Sequence, residues 1–351
     1  MGSNPRPGRR RATIRDVAQA AGVSIATVSR VLNGRPDVAA DTRERVLSAV
    51  RDLGFSTNRS ARSLVGGRTF LVGITLPLVE AEYFARILGG ATDELYDHDL
   101  QVVLATTLHL RDRANTLLAR LTSGVTDGAL LVLPEESREM LQQLAAPGYP
   151  FVVIDPLEPL AEGVPSVSAT NALGGRAATE HLLALGHRRI GIITGVPDWL
   201  ASVERLNGYR TALASAGVPF EPALVVESDW AVEGGEAAAA ALLELPDPPT
   251  AIFAFNDNMA IGAARAAHAR GLHVPVDLSV VGFDDSEQAA TTAPTLTTVR
   301  QPLADMGRMG ASLLLRLLDN RPADAMRIEL QTRLIVRDST AAPARHFTAL
   351  S

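Results

Sequence analysis

Asp284 and Asp285 are adjacent carboxylates, and paired acids can carry general acid–base work on a glycosidic bond. They follow the apolar run Ser279–Phe283, so they fall in a turn at a strand end, and no partner carboxylate nearby in sequence completes a catalytic set. Ligand contact or turn capping explains them better, with Asp257 expected to cap the helix that follows it and Asp285 a possible second cap. Other reactive equipment is missing. The chain has no cysteine, which excludes a disulfide, a thiol nucleophile, a thiolate zinc site and an iron–sulfur cluster. It has no lysine either, all 33 basic residues being arginine, so neither a phosphate-loop lysine nor a Schiff base is available. The seven histidines make no metal-binding set, and His181 and His187 read as structural. No glycine-rich dinucleotide fingerprint follows a strand, and no Ser/His/Asp arrangement has suitable surroundings. No enzyme activity and no cofactor are expected.

What remains is binding chemistry, and residues 13–36, TIRDVAQAAGVSIATVSRVLNGRP, carry the sharpest instance. Ile14, Val17, Ala18 and Ala21 recur at helical spacing, with Thr13 as N-cap and Asp16 in the first turn, where negative charge suits the helix dipole. Gly22 supplies the unusual dihedrals of a corner, and Ser24 caps a second helix. Val28, Val31 and Leu32 face back, and Ile25, Ala26, Ser29 and Arg30 are left outside; Asn33-Gly34 and Pro36 end the run. Two helices joined in this way present the outer face of the second to a DNA major groove, where an arginine can fork two donors onto guanine O6 and N7. A third helix is expected at 41–53, with Val46, Val50 and Leu53 as its stripe.

Charge points the same way. Residues 1–68 hold 13 Arg against 5 acids, whereas residues 69–351 hold 20 basic and 34 acidic residues. A basic head on an acidic body is the layout of a nucleic-acid-binding module attached to something else, and Arg9-Arg10-Arg11 would lie near phosphates. No apolar run reaches membrane-spanning length and no signal-peptide core follows the Arg-rich start, so a cytoplasmic chain is expected.

From Phe70 onward short apolar runs alternate with amphipathic stretches. The runs are 70–76, 101–105, 128–133, 151–154, 189–194, 223–226, 251–255 and 279–283; helical patterns fill 82–97, 111–123, 136–145, 171–185, 201–216, 231–244 and 257–270. This alternation predicts parallel sheets covered by helices on both faces. The strands are too many for one small sheet, so two are expected, from about 70–160 and 161–290, with 297–299 leading into a helix at 302–319 that crosses back to the first. In such sheets ligands bind beyond the carboxyl ends of the strands, and two domains can aim those ends at one cleft.

Residues 12–66 closely resemble the head and hinge of the lac repressor family (LacI/GalR) of bacterial transcription regulators, in VSIATVSRVLNG and DTRERVLSAVRDLGFSTNRSARSLVGG. ALGHRRIGIITG at 184–195, RLNGY at 205–209, AIFAFNDNMAIGA at 251–263 and SVVGFDDSEQAATTAPTLTTVRQP at 279–302 resemble that family's effector-binding core. The resemblance implies a small all-α helix-turn-helix head (1–57), a hinge helix and linker (58–68), an α/β core of two subdomains folded like a periplasmic binding protein (69–338, crossovers near 155–165, 284–300 and 319–330) and a tail (339–351). It implies a homodimer on a pseudo-palindromic double-stranded DNA operator, with affinity set by a small molecule.

Carried over by position, the DNA-binding set is Thr13, Ser24, Ile25, Ala26, Thr27, Ser29, Arg30, Asn33, Asn58, Ala61 and Leu64. Leu64 matches the hinge leucine that wedges into the minor groove, with Ala61 beside it; a leucine in a polar octapeptide next to Gly-Gly has little else to pack on. Ile25 and Ala26 lack hydrogen-bonding side chains and can read only shape or thymine methyls. The effector set is Tyr83, Asp155, Arg205, Trp230, Asn256, Asp284 and Gln301, whose carboxylates, amides and indole suit a neutral sugar or small oligosaccharide. Tyr83-Phe84 fits either the cleft or the core, and Trp199 could be a second stacking surface. A repressor of sugar uptake or catabolism genes is the expected function. The alternatives are a DNA-binding head fused to a sugar- or nucleoside-acting enzyme, a non-sugar effector such as a purine, and a sugar-binding module with a general nucleic-acid anchor. The tail lacks the apolar heptads of a tetramer, so a dimer is expected.

Overall fold

The computed structural model describes residues 12–32, 35, 37–53, 55, 68–146, 148–321 and 325–343. Arg9–Arg11, Asn33 and the expected hinge with Asn58, Ala61 and Leu64 lie outside them. The chain divides between Thr69 and Phe70 into two compact units.

The first unit holds three helices, α1 (Ile14–Ala21), α2 (Ile25–Leu32) and α3 (Ala40–Asp52). Their starts and corner are set by local chemistry. The Thr13 backbone N–H donates to the Asp16 carboxylate at 2.7 Å and the Asp16 N–H donates back to Thr13 Oγ1 at 3.4 Å, a reciprocal capping box. Gly22 takes φ +65° at the corner, a conformation an L side chain resists. Ser24 Oγ then accepts the Thr27 N–H at 3.1 Å and caps α2. Val17, Val28 and Val46 are fully buried where the helices meet, with Ala18, Ala21, Val31 and Ala49 around them. Leu53, expected in the α3 stripe, is 40% exposed because the helix ends before it; Phe55 turns back onto the core in its place.

The second unit carries two six-stranded sheets. In chain order its elements are β1 (Leu71–Leu76), α4 (Glu82–Tyr96), β2 (Gln101–Thr106), α5 (Arg111–Arg120), β3 (Gly128–Val132), α6 (Arg138–Ala145), β4 (Phe151–Ile154), β5 (Ser166–Ala169), α7 (Asn171–Ala184), β6 (Ile190–Thr194), α8 (Leu200–Ser215), β7 (Val225–Glu227), α9 (Val232–Leu243), β8 (Ala251–Ala254), α10 (Asp257–Ala269), β9 (Ser279–Asp284), β10 (Thr297–Arg300), α11 (Leu303–Leu318), β11 (Arg327–Leu330) and β12 (Arg333–Ile335). The first sheet runs β11-β5-β4-β3-β1-β2 and the second β12-β10-β9-β8-β6-β7. Every pairing is parallel except β10 with β12, which is antiparallel. β3, β4, β6 and β8 are buried along their whole length, as expected of strands covered on both faces.

The chain passes between the sheets later than the sequence suggests. β5 still belongs to the first sheet, so the first crossing is at Thr170; the return comes at 301–302, after which α11 packs on β3, β4 and α4, and the third crossing is at 331–332. The short segment SVSA of β5 reads as loop by composition, and only its pairing with β4 and β11 makes it a strand. Residues 339–341, expected in the tail, belong to the second lobe: Ser339 Oγ accepts the Thr297 N–H at 2.8 Å and donates to the Val280 carbonyl at 2.6 Å. Among the described residues no helix is long and apolar enough to cross a membrane.

Candidate functional site

The carboxyl ends of both sheets open onto one cavity of about 1290 Å³. Its walls are the segments that follow β1 (Glu80–Arg86), β2 (His109, Arg111), β3 (Leu133–Glu136), β4 (Asp155–Glu158), β6 (Val196–Trp199), β7 (Asp229–Ala231), β8 (Asn256–Asn258) and β9 (Asp284, Ser286). Five of its lining residues, His109, Leu133, Asp155, Trp230 and Asp284, are non-glycine residues at positive φ. Such strain persists only where surrounding structure imposes it, and its concentration at one cavity marks the site.

Six of the seven residues expected to bind an effector line the cavity: Tyr83, Asp155, Arg205, Trp230, Asn256 and Asp284. Gln301 does not. It is fully buried and its amide donates to Asp284 Oδ1 at 2.7 Å, so it fixes the carboxylate from behind. Asn256 reaches the cavity but is occupied: Oδ1 accepts the Met259 N–H at 2.8 Å, capping α10, and Nδ2 donates to the Trp230 carbonyl at 2.9 Å. The cap is therefore Asn256, not Asp257, which accepts from Thr298 Oγ1 at 2.5 Å and the Ser286 N–H at 2.7 Å.

Arg205 is 3% exposed. Its guanidinium donates to Asn171 Oδ1 at 2.9 Å and to the Phe255 carbonyl, and lies 3.7 Å over the Phe283 ring. α7 approaches so closely that a side chain at Gly175 would collide with the Arg205 backbone. Trp230, at φ +70°, lies against Gly195, where any side chain would strike the indole. Trp199 stacks on Trp230 (centroids 5.7 Å, 24°), and His109 stacks on Trp199 (6.1 Å, 29°), so an aromatic row joins the second lobe to the first. Tyr83 donates to Asp155 at 2.6 Å and meets Phe84 edge-on; both line the cavity, Phe84 as part of the first lobe's core and Tyr83 packed against it.

Ten carboxylates line the cavity against three guanidiniums, those of Arg86, Arg111 and Arg205. Burial pushes Asp284 up to about 7, against the pull of Arg205, and Asp257 up to about 6. Burial raises Asp155 as well, and raises the Tyr83 hydroxyl far above its ordinary value with Asp155 adding to it. Asp285 behaves oppositely: burial disfavours its charge, but Arg337 and Arg300, each at 2.5 Å, outweigh that and hold it low. Asp284 and Asp285 thus face different ways, one to the cavity and one locked between two arginines.

The sequence reading missed Glu135, Glu136 and His109. Glu136 is 5% exposed, and burial raises its pKa against the pull of its own and the Glu135 backbone N–H groups. The sequence pattern began a helix at 136, but Ser137 caps α6, which leaves Glu136 in the segment after β3. Position after a parallel strand was the available signal. No group of three or more histidines and carboxylates is arranged to hold a metal among the described residues.

In the first unit, α2 turns Ile25 (44% exposed), Ala26 and Arg30 outward, and Ser29 is half-buried. Thr13, Ser24 and Thr27 sit at the helix starts, their hydroxyls used in the caps. Arg30 is held only by an exposed pair with Asp37 at 3.7 Å.

Residues 13–58 match the family of bacterial regulatory proteins, lacI family, and residues 179–340 match a periplasmic binding protein-like domain. The HTH-type transcriptional regulator CelR of Thermobifida fusca is 39% identical over 337 residues, 94% of this chain and 99% of that protein. Among solved structures, a CelR–cellobiose complex aligns with TM-score 0.72 at 38% identity over 94% of this chain and all of that one. A lac repressor dimer bound to operator and the anti-inducer ONPF aligns with TM-score 0.86 at 30% identity over 95% of this chain and all of that one. With a helix-turn-helix head, two parallel sheets facing one cavity and this similarity along nearly its whole length, the chain belongs to the lacI family of bacterial regulatory proteins.

Proposed function

We propose that the protein is a homodimeric transcription repressor of sugar uptake or catabolism genes whose affinity for a pseudo-palindromic operator is set by a neutral, hydroxyl-rich effector. The observation that carries the effector class is the wall of the cavity: ten carboxylates, an indole, and a single deep guanidinium already bound to two protein acceptors. Carboxylates accept hydrogen bonds and repel anions, so the fitting ligand donates many hydrogen bonds and carries no negative charge. Tyr83, Asp155, Trp230 and Asp284 are its contacts in this reading, with Arg205, Asn256 and Gln301 holding the wall behind them. CelR, a relative over nearly the full length, has been solved with cellobiose.

For DNA, Ile25, Ala26, Ser29 and Arg30 read the major groove, and Thr13, Ser24 and Thr27 set the helix starts against the backbone. Asn33, Asn58, Ala61 and Leu64 complete the set by position, the last as a minor-groove wedge from a hinge at 58–68. We assign no catalytic role, since both Asp285 oxygens are taken by arginines. Selection of duplexes from a random pool, with and without sugars that raise the melting temperature, tests the reading. A ligand at 100 times its Kd stabilises by about 2.7 kcal/mol. Neutral sugars should stabilise the protein and change recovery of one palindromic motif. Stabilisation by purines or anions alone would overturn the effector class, and a pool without a common motif would overturn sequence-specific binding.

A further inference from the structure

Trp199 belongs to one lobe by its backbone and to the other by its side chain. It follows β6 of the second sheet and starts α8, where its carbonyl accepts the Val203 N–H at 3.0 Å. Its side chain nevertheless packs against the hydrophobic cluster of the first lobe, as does Leu157 from the segment after β4. The backbone joins the same two segments, since the Leu200 N–H donates to the Leu157 carbonyl at 2.7 Å. A large apolar side chain that crosses between lobes returns to water when they part, and that transfer is unfavourable.

Each ring neighbour of Trp199 is held by its own lobe. Trp230, 5.7 Å away, packs against the second lobe's core, and its indole fills the space that a side chain at Gly195 would need. His109, 6.1 Å away on the other lobe, is fixed by Glu135 from the segment after β3. The imidazole Nδ1 lies 2.9 Å from Glu135 Oε1, which can only accept. Leu108 and His109 are consecutive non-glycine residues at φ +55° and +56°. Left-handed backbone of this kind persists only where its surroundings impose it, and the bend brings His109 to Trp199. None of these contacts waits for a ligand.

We propose that Trp199, stacked on His109 from the first lobe and on Trp230 from the second, is a clasp that holds the lobes in this relation without an effector. An aromatic pair shifts an equilibrium by about 2- to 12-fold. Losing the His109 ring should therefore raise the share of parted lobes by about that factor, and losing the indole should raise it further. The consequence for DNA rests on the proposed function: releasing the clasp should change operator affinity.

Interlobe distances test this. The chain has no cysteine, so two introduced ones alone carry spin labels. Gln143→Cys on α6 and Ala214→Cys on α8 are exposed positions, one on each lobe. Distances are measured by double electron–electron resonance in full-length protein without ligand, labelled chains being diluted into unlabelled ones. The labelled background is compared with His109→Asn, Trp199→Phe, Trp199→Ala and the His109→Asn/Trp199→Ala double variant. Asparagine tolerates left-handed backbone but removes the ring. The background should show one dominant distance. His109→Asn should add a second population, Trp199→Ala a larger one, and Trp199→Phe the smallest, while the double variant should match Trp199→Ala. His109 is exposed, so its variant tests the clasp whatever Trp199→Ala does to folding. A His109→Asn distribution identical to the background, or effects that simply add in the double variant, would overturn the clasp. Binding of the selected palindromic duplex separates the two readings. A new distance population with unchanged duplex affinity would support the clasp and overturn control of DNA binding by the lobes.

Discussion

Arg205→Ala separates support from contact in the cavity wall. Read from chemistry alone, Arg205 is the cation that a ligand meets, and its loss should silence the effector while sparing the fold. Its surroundings say otherwise. The guanidinium donates to Asn171 Oδ1 and the Phe255 carbonyl at a site 3% exposed, so truncation orphans two buried acceptors. Each charge-assisted hydrogen bond of this kind contributes about 1.5–3 kcal/mol, so the variant should lose about 3–6 kcal/mol of a total on the order of 5–15. The cation stacked on Phe283 is lost as well, and Asp284, which Arg205 pulls toward its charged form, should titrate still higher. For a unit of this size the melting temperature should fall by on the order of 10 °C. Scanning calorimetry of the full chain measures this, beside Trp230→Ala as a cavity variant that orphans no acceptor, since Asn256 donates to the Trp230 backbone carbonyl and the indole N–H has no partner. An Arg205→Ala protein that melts with wild type but no longer binds sugar would refute the reasoning and return Arg205 to the role of a plain ligand contact.

Asp284→Asn should change the pH dependence of stability. Asp284 sits at about 7 in the folded protein against an ordinary 3.8, so between those values the folded state holds a proton that the unfolded chain has released. Its contribution therefore worsens as pH rises through that window, and melting curves from pH 5 to 7.5 should show wild type falling relative to Asp284→Asn; parallel curves would contradict this. Arg30→Ala should cost about 1–3 kcal/mol per half-site and relax selectivity at one guanine, since Arg30 is exposed and loosely paired with Asp37; a uniform loss across duplex sequences would make it a phosphate contact. Thr13→Ala should lower the opening free energy of α1 by about 1 kcal/mol in hydrogen exchange of the full chain, because the Asp16 N–H loses its cap; unchanged protection would show that packing of Val17 and Ala21 alone holds the helix start.

The head was legible because its determinants are local. Thr13 and Asp16 lie three residues apart, Gly22 sits at the corner it makes, and Val17, Ala18 and Ala21 recur at helical spacing within α1. Strands such as β6 and β8 were legible as unbroken aliphatic runs, a pattern that burial on both faces demands. β5, β11 and β12 were not, because SVSA, RIEL and RLI mix polar and apolar residues over a few positions and become strands only by pairing with distant partners. The same division runs through the site. Strand ends named where the cavity would be, and the family resemblance supplied Asp155, Trp230 and Asp284, which line it. Gln301 and Asn256 were assigned to the ligand by position in the family resemblance, yet the neighbours that occupy them, Asp284, Met259 and Trp230, come together only in three dimensions. Glu136 shows the converse: the sequence pattern put it at the start of a helix, and in the structure it is buried in the segment between β3 and α6.

The lobes are also tied to one another by groups that need no ligand. Arg86 donates to the Asp285 carbonyl at 3.0 Å, the Glu82 carboxylate accepts the Glu287 N–H at 3.0 and 3.1 Å, and the Leu200 N–H donates to the Leu157 carbonyl at 2.7 Å. This arrangement therefore has its own hydrogen bonds, and an effector biases it only through the difference between its contacts here and in any alternative arrangement. Arg205 and Asn256 can add little to that difference, since their hydrogen bonds are already made within the protein. Spare capacity at the cavity wall includes Glu135 Oε2 on the first lobe and the Trp230 N–H on the second. A ligand that meets groups on both lobes makes bonds that exist only when the lobes stand in this relation. A ligand confined to one end satisfies one lobe and leaves the balance nearly where it was. Coupling between effector and operator, commonly about 1–3 kcal/mol, is then set by the contacts that differ between the two arrangements.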